Sequence, residues 1–312
     1  MLAMKKISVS APAKINTILR VVALRPDFYH ELEMVMVKLK LADLITIHDH
    51  PETTAITFSC DSIQNEGMNA HNNLVVKAAK LLQETYQVKR GASIHLEKNI
   101  PVAAGLGGGS SDAASTLKAL NCLWDLKLDA NALAKHGESL GADVPFFCHE
   151  SPAAYVHGIG EKIQPIDCFP KLFLLLVNPG IEVSTAWVYK ECDKLFFPGG
   201  PGTKKQKRTL EKQSDKDDFQ LTGKNAGVRR GAPFAARSEV LCGLTNDLEE
   251  VTRAKYLEIS EMKEFFLKFG ADAALMSGSG PTVFGVFKTR ELSVQAEKQL
   301  PSSWKGFVTE TL

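Results

Sequence analysis

The chain has 312 residues, of which 44% are hydrophobic and 23% charged, with 37 Lys and Arg against 36 Asp and Glu. This length and composition exclude a disordered chain and suit one large domain or two ordinary ones. The formal net charge of +1 gives no overall field for holding nucleic acid or an anionic membrane, so we expect neither partner. The longest strongly apolar run, Leu172–Val177, is too short to cross a bilayer, and the N-terminus does not read as a signal peptide.

The six cysteines stand at positions 60, 122, 148, 168, 192 and 242, and no two form a Cys-x-x-Cys pair. Structural zinc and a redox dithiol therefore lack their usual spacing. A disulfide-stapled secreted fold is not expected at this length and cysteine density. We expect free thiols, a cytoplasmic protein, and no metal site built by the protein alone.

Two alternating segments near the N-terminus predict strands. The first covers residues 7–11 and the second residues 14–21. In the second, alternation assigns the side chains to two faces: Ile15, Thr17, Leu19 and Val21 on one, and Lys14, Asn16, Ile18 and Arg20 on the other. Lys14 and Asn16 would thus point the same way, roughly 7 Å apart. That convergence suits a binding site, although an ordinary solvent-facing surface would show the same pattern.

The rest of the chain alternates between strand-like and helical patterns. Strands are predicted over residues 34–47, 55–59, 93–97, 173–177, 273–276 and 283–287. Helices are predicted over residues 72–86, 110–126, 131–140, 249–269 and 291–299. This mixture predicts an α+β or α/β fold. A domain boundary near Phe169-Pro170 would divide the chain into residues 1–168 and 169–312.

A basic segment interrupts the second half of the chain. Residues 204–237 hold ten Lys and Arg against four Asp and Glu, with few large apolar side chains. We interpret about 198–238 as a mobile surface insertion. Its run Lys204-Lys-Gln-Lys-Arg208 could bind nucleic acid or act as a localisation signal, but a solvated loop is the simpler interpretation.

The strongest local signal is the segment 101–114, which follows a predicted strand and enters a predicted helix. It has glycines at 105, 107, 108 and 109, followed by Ser110, Ser111 and Asp112. Glycines allow backbone torsions closed to other residues and a close approach of backbone N–H groups to a ligand. A helix N-terminus adds free N–H donors and partial positive charge, so the segment predicts a phosphate-binding loop.

Two common nucleotide motifs do not fit this loop. It lacks the lysine of Gly-x-x-x-x-Gly-Lys-Ser/Thr, and Ser110 stands where Gly-x-Gly-x-x-Gly requires its last glycine. A flexible linker is also a poor interpretation, because the segment is wedged between a strand and a long amphipathic helix.

The loop resembles the phosphate loop of the GHMP kinases (galacto-, homoserine, mevalonate and phosphomevalonate kinases). Two more segments resemble motifs of that family in the same order, namely Ala11-Pro-Ala-Lys-Ile-Asn16 and Met276-Ser-Gly-Ser-Gly-Pro-Thr-Val-Phe284. The resemblance implies an ATP-dependent small-molecule kinase of α+β class with two domains. These would be an N-terminal ribosomal-S5-like α/β domain and a C-terminal ferredoxin-like α+β sandwich, with the active site between them.

Within the family, Asp27-Phe-Tyr-His30 and Gly141-Ala-Asp-Val-Pro-Phe-Phe147 are similar to members that act on a cytidine diphosphate-linked methylerythritol. The resemblance implies phosphorylation of the 2-hydroxyl of 4-diphosphocytidyl-2-C-methyl-D-erythritol, in the non-mevalonate (MEP) route to isoprenoids. Phe28 departs from the pattern, which has glycine there. Two alternatives stay open: a kinase for another small alcohol, such as homoserine or a phosphorylated mevalonate, and a nucleotide sensor without catalysis. The presence of both Lys14 and Asp143 argues against the sensor.

The resemblance also implies roles for individual residues. Asp143 would accept the proton of the attacking hydroxyl, and Lys14 would lower the pKa of that hydroxyl and balance negative charge. Taken alone, Asp143 could be a helix-cap residue and Lys14 a surface lysine. ATP, accompanied by Mg²⁺, would be bound by Asn73, Lys98, Pro101, Val102, Ala103, Ala104, Gly105, Leu106, Gly107, Gly108, Gly109, Ser110 and Ser111.

The acceptor substrate would be bound by Asn16, Tyr29, His30, Tyr189, Gly278, Ser279 and Gly280. Tyr29, His30 and Tyr189 would form the cytidine pocket, where an aromatic face stacks on the pyrimidine. If the alignment of this segment with the family is shifted, Trp187 would take this role instead of Tyr189. Residues 278–282 would close over the site, or would simply form a tight turn between two strands. We expect a monomer or a weak homodimer.

Overall fold

The computed structural model describes residues 5–61, 73–205 and 236–312. Up to residue 168 these contain β1 (Lys6–Leu24), β2 (His30–His50), β3 (Ile56–Cys60), α1 (Leu74–Thr85), β4 (Gly91–Glu97), α2 (Gly108–Leu123), α3 (Ala130–Gly137), α4 (Val144–Cys148), β5 (Ala153–Gly158) and β6 (Lys162–Ile166). After it come β7 (Phe173–Asn178), α5 (Thr185–Phe196), β8 (Thr203–Lys204), α6 (Arg237–Gly243), β9 (Thr245–Asn246), α7 (Asp247–Lys255), α8 (Glu258–Lys268), β10 (Ala273–Met276), β11 (Val283–Phe287), α9 (Arg290–Glu297) and β12 (Lys305–Glu310). The predicted mixture of helices and strands is confirmed.

The strands form two sheets. In the larger, the main order is β3-β4-β2-β1-β8, with β5 paired to β2, β6 to β5 and β9 to β1. Strand β2 changes neighbours along its length, because residues 32–37 pair with β5 and residues 44–50 with β4. The smaller sheet has the order β10-β11-β7-β12 and is antiparallel throughout.

The predicted division into residues 1–168 and 169–312 falls in the connection between β6 and β7. Two short strands from beyond it, β8 and β9, pair with β1 of the larger sheet. The boundary itself stays a prediction. The basic segment lies largely outside the described residues, and within the described ranges no helix is long and apolar enough to cross a membrane.

The prediction that residues 15, 17, 19 and 21 share one face is wrong. The pairing of β1 with β2 shifts register between Asn16 and Ile18, and a β-bulge of this kind adds a residue that reverses the faces beyond it. Ile15 and Ile18 therefore share one hydrophobic cluster, whereas Leu19 and Val21 belong to the other. Lys14 and Asn16 precede the shift and do project together, since Lys14 Nζ donates to Asn16 Oδ1 at 2.7 Å.

The single helix predicted over 249–269 is also wrong. Helix α7 ends at Lys255, Tyr256 is extended, and α8 begins at Glu258. The break lets the two helices pack in different places. In α7, the Asp247 carboxylate accepts a hydrogen bond from Val21 N–H in the larger sheet, while Phe266 of α8 packs beneath Gly285 in the smaller one. The apolar periodicity of the sequence continues through this break, so the pattern gave no sign that the helix is interrupted.

Candidate active site

The phosphate-loop candidate connects β4 to α2 and lines a cavity of about 370 Å³. Ala103, Gly105 and Gly107 all have positive φ, at 53°, 75° and 68°. At Gly105 a Cβ atom would lie 2.3 Å from the carbonyl oxygen of Ser277, so this position admits only glycine. The N–H groups that open α2 have no intrahelical acceptors and face the region where an anion would sit. The loop therefore has the geometry of a phosphate cradle.

A buried charge cluster supports this loop from behind. Lys98 forms an ion pair with Asp43, whose other oxygen accepts hydrogen bonds from the N–H groups of Asn99 and Ile100. Asp112, at the start of the second turn of α2, lies 3.4 Å from Lys98 Nζ. Burial, reinforced by the Asp43 carboxylate, raises the pKa of Asp112 to about 8 although the lysine opposes this. The cluster joins the end of β4 to the start of α2.

Lys14 and Asp143 meet beside the loop. Lys14 is only 5% exposed, and its Nζ lies 3.4 Å from Asp143 Oδ2. Its backbone N–H donates to the carbonyl of Leu106 at 2.9 Å, which ties β1 to the loop. The side chain of Asp143 makes no capping hydrogen bond to α4, although the residue precedes that helix. Neither the surface-lysine nor the helix-cap interpretation describes this pair.

A second cavity of about 800 Å³ is lined by this pair and shares Gly105, Gly107 and Ser110 with the first. Its lining includes Lys14, Asn16, Phe28, Tyr29, His30, Asp143, Tyr189, Asp193, Gly278 and Ser279. The rings of His30 and Tyr189 lie 4.7 Å apart at their centroids. His30 Nε2 lies 2.6 Å from Asp193 Oδ1, and burial raises the pKa of Tyr189 above its usual value. The cavity thus combines an aromatic wall with a cation and two carboxylates.

Trp187 does not line either cavity. Its ring meets that of Tyr256 edge-on, with centroids 5.9 Å apart, and the Lys255 ammonium lies 4.2 Å above it. Of the two aromatic residues considered on α5, the one that faces the cavity is Tyr189.

The turn between β10 and β11 closes on the phosphate loop. Ser277 Oγ donates to the carbonyl of Gly105 at 3.0 Å. Asn246 Nδ2 donates to the carbonyls of Met276 and Gly278, both at 2.8 Å. The segment is therefore a tight turn between strands that contacts the phosphate loop, and its Gly278 and Ser279 line the second cavity; closure of residues 278–282 over the site stays a prediction.

Most of the predicted site residues come together around these two cavities. Asn73, which caps α1 by accepting from Val75 N–H at 2.8 Å, and Lys98 line the first cavity with residues 101–110. Two predicted residues line neither, namely Ser111 and Gly280. Ser111 lines neither cavity because helix α2 turns its side chain inward. The side chain is fully buried, and its hydroxyl has no hydrogen-bond partner within the described ranges.

Sequence reasoning missed Asp193 and Asn246. Asp193 lies four residues after Tyr189, one helical turn along α5, so the helix would have brought both to one face had it been predicted. Asn246 carried no local signal, since its role depends on carbonyls of a distant turn. In the described part of the chain, no group of three or more His, Cys, Asp or Glu side chains could hold a metal ion.

Comparison with known proteins identifies the family of this chain. The family model "GHMP kinases N terminal domain" matches residues 73–151, and "GHMP kinases C terminal" matches residues 226–306. The chain belongs to the GHMP kinase family, whose members are ATP-dependent phosphotransferases. Relatives named 4-diphosphocytidyl-2-C-methyl-D-erythritol kinase resemble it over their full length. The one from Pelobacter propionicus is 40% identical, covering 99% of this chain and 100% of its own. That from Syntrophotalea carbinolica is 41% identical, covering 96% and 97%.

A solved structure of a similar protein has the same fold. The crystal structure of a 4-(cytidine 5'-diphospho)-2C-methyl-D-erythritol kinase superposes with a TM-score of 0.74 at 30% identity, over 98% of this chain and 100% of that one. The predicted family, the GHMP kinase fold and the assignment as a kinase are confirmed.

Proposed function

We propose that this protein transfers the γ-phosphoryl group of ATP to the 2-hydroxyl of 4-diphosphocytidyl-2-C-methyl-D-erythritol. One observation carries the proposal. The Lys14–Asp143 pair, 3.4 Å apart, lines the cavity walled by His30 and Tyr189, and that cavity shares Gly105, Gly107 and Ser110 with the glycine-lined cavity. A cation and a carboxylate thus lie in an aromatic pocket that adjoins a phosphate cradle. The names of the full-length relatives support the same substrate.

ATP would occupy the first cavity. Its phosphates would bind the backbone N–H groups of residues 105–111 at the start of α2. An added Cβ would lie 2.9 Å from Lys14 Cγ at Gly107 and 3.0 Å from Lys98 Nζ at Gly108, closer than van der Waals contact, so side chains there would crowd the loop. Adenine would lie near Lys98 and Asn73, which line the same cavity. Mg²⁺ would arrive with the nucleotide and neutralise phosphate charge.

The chemical step needs a base and a cation at the acceptor oxygen. The Asp143 carboxylate takes the hydroxyl proton as the oxygen attacks the γ-phosphorus, and the bond from that phosphorus to the β-phosphate oxygen breaks to release ADP. Lys14 stabilises the negative charge that develops on the attacking oxygen. Asn16 holds the Lys14 ammonium in place through its 2.7 Å hydrogen bond.

The aromatic wall supplies recognition of the cytidine. The Asp193 carboxylate can only accept, so His30 donates to it from Nε2; in a neutral imidazole, Nδ1 would then accept from the exocyclic amine of cytosine. Tyr189, stacked near His30, offers a ring face to the base. Tyr29 lines the same cavity from the turn before β2.

A coupled assay of ADP release tests the proposal. The protein is incubated with ATP, Mg²⁺ and one of three alcohols: the diphosphocytidyl alcohol, homoserine or a phosphorylated mevalonate. We expect turnover with the first and a kcat/KM at least about 100-fold lower with the others. Faster turnover of another alcohol would contradict the proposed substrate. Binding of the nucleotide without any ADP release would contradict the proposed catalysis.

A further inference from the structure

The turn between β1 and β2 holds Phe28 in a conformation that a phenylalanine rarely adopts. Its φ is +65°, in the left-handed region that favours glycine. The turn is closed by hydrogen bonds from Phe28 N–H to the Arg25 carbonyl at 3.0 Å and from Arg25 N–H to the Tyr29 carbonyl at 2.8 Å. Asp27 reinforces it by accepting from Tyr29 N–H at 3.2 Å. The surrounding bonds therefore impose this backbone conformation on whichever residue stands at position 28.

The ring of Phe28 is also exposed, so it contributes little to the stability of the fold. It is 74% exposed, the largest value among the exposed large hydrophobic side chains of the described residues. It lines the larger cavity together with Tyr29 and Tyr189. An aromatic ring left in water contributes no burial to stability, and a left-handed backbone opposes it. The turn accounts for the backbone conformation, but the folded protein without a ligand does not account for the exposed ring.

We propose that Phe28 is a specificity-determining residue, whose ring packs on the cytidine part of the acceptor at the mouth of the cavity. The cavity already carries the His30–Tyr189 wall on its inner side, and Phe28 adds an apolar surface at the rim. A nucleoside has an apolar face wide enough to contact both, whereas a short alcohol without a base does not reach the rim. This inference rests on the proposed function, because it takes the acceptor to be a cytidine nucleotide.

Three substitutions separate the ring from the backbone. Phe28→Gly removes the ring and relieves the left-handed backbone, Phe28→Ala removes the ring alone, and Phe28→Tyr keeps an aromatic ring. We expect KM for the diphosphocytidyl alcohol, and the dissociation constant of CDP measured by calorimetry, to rise roughly 5- to 50-fold in the first two. The KM for ATP should change less than about twofold in all three.

Thermal unfolding supplies the matched control. Gln87 has a φ of +50° and lies outside both cavities, so Gln87→Gly should raise Tm as Phe28→Gly does, while KM for the acceptor stays unchanged. Unchanged KM and CDP binding in Phe28→Gly and Phe28→Ala, with the wild type active on the diphosphocytidyl alcohol, would overturn the role of Phe28 alone. A wild type inactive on that alcohol would overturn the proposed function and this inference with it.

Discussion

Lys14 and Asp143 face each other with Nζ and Oδ2 3.4 Å apart, although one lies in β1 and the other just before α4. Helix α2 and the phosphate loop separate them in sequence, so their proximity depends on the fold. Lys14 is buried and Asp143 is partly exposed, which leaves the carboxylate open toward the larger cavity. Both side chains line the larger cavity, which shares Gly105, Gly107 and Ser110 with the smaller one.

Removing the carboxylate charge tests its role. Asp143→Asn should lower kcat roughly 10²- to 10⁴-fold, because the variant cannot accept the hydroxyl proton. ATP affinity, measured by calorimetric titration, should stay largely unchanged. Asp125→Asn is a suitable control, since Asp125 lies 3.8 Å from Lys127 on the exposed surface; its turnover should match the wild type. Full activity in Asp143→Asn would show that another group is the base.

The close approach between the phosphate loop and the β10–β11 turn sets a second test. Gly105→Ala places a methyl group 2.3 Å from the Ser277 carbonyl at a φ of +75°, so we expect a loss of about 2–4 kcal/mol in unfolding free energy and a higher KM for ATP. Gly270→Ala has a similar φ of +83° with nothing within 4 Å, so it should cost only about 1 kcal/mol. Equal losses in urea unfolding would mean that the clash is relieved by loop movement.

The two aromatic residues of α5 give opposite expectations. Tyr189→Ala should raise KM for the diphosphocytidyl alcohol roughly 10- to 100-fold, because it removes the ring that faces the cavity. Trp187→Ala should lower stability by about 1–3 kcal/mol, through lost contacts with Tyr256 and Lys255, and leave KM near its wild-type value. Steady-state kinetics and thermal unfolding on both variants decide between them; a reversal would place the base against Trp187.

The buried Asp112 predicts a pH dependence of stability. Its pKa is about 8 in the folded protein, against an ordinary aspartate value of 3.8, so from about pH 4 to pH 8 the folded state keeps a proton that the unfolded state has released. This contribution to stability is fully present below pH 4 and is lost as pH rises through 8. Asp112→Asn removes it, so the stability of the variant relative to wild type should increase from pH 4 to pH 8.

Urea unfolding of both proteins across that range measures the effect. Asp272→Asn, which removes an exposed carboxylate paired with Arg237, provides a comparison whose difference from wild type should change less with pH. A difference between Asp112→Asn and wild type that is independent of pH would mean that Asp112 is ionised in the folded protein.

Local patterns predicted those elements whose burial follows a simple period. The strands at 273–276 and 283–287 match β10 and β11 at both ends, because each is a short apolar run that ends at a turn. The strands β5, β6, β8, β9 and β12 and the helices α4, α5 and α6 were not predicted. Strand β6 is largely exposed and includes Pro165, so its pairing with β5 rather than its composition defines it.

The site also contains residues that a local sequence pattern predicts and residues that no local pattern predicts. The phosphate loop carries its own signal, since four closely spaced glycines before a helix have a direct physical meaning. Asp143 has no such signal, and its resemblance to a family motif was the only indication of its role. The supporting contacts of Asp43, Asn246 and Asp193 depend on chain crossings that no local period records.

A crystal structure of the protein with a non-hydrolysable ATP mimic and the diphosphocytidyl alcohol tests the central claim most directly. We predict the triphosphate on the backbone of residues 105–111, and the acceptor 2-hydroxyl within hydrogen-bonding distance of Asp143 and beside Lys14. A triphosphate bound away from that loop, or an acceptor hydroxyl remote from both side chains, would contradict the account.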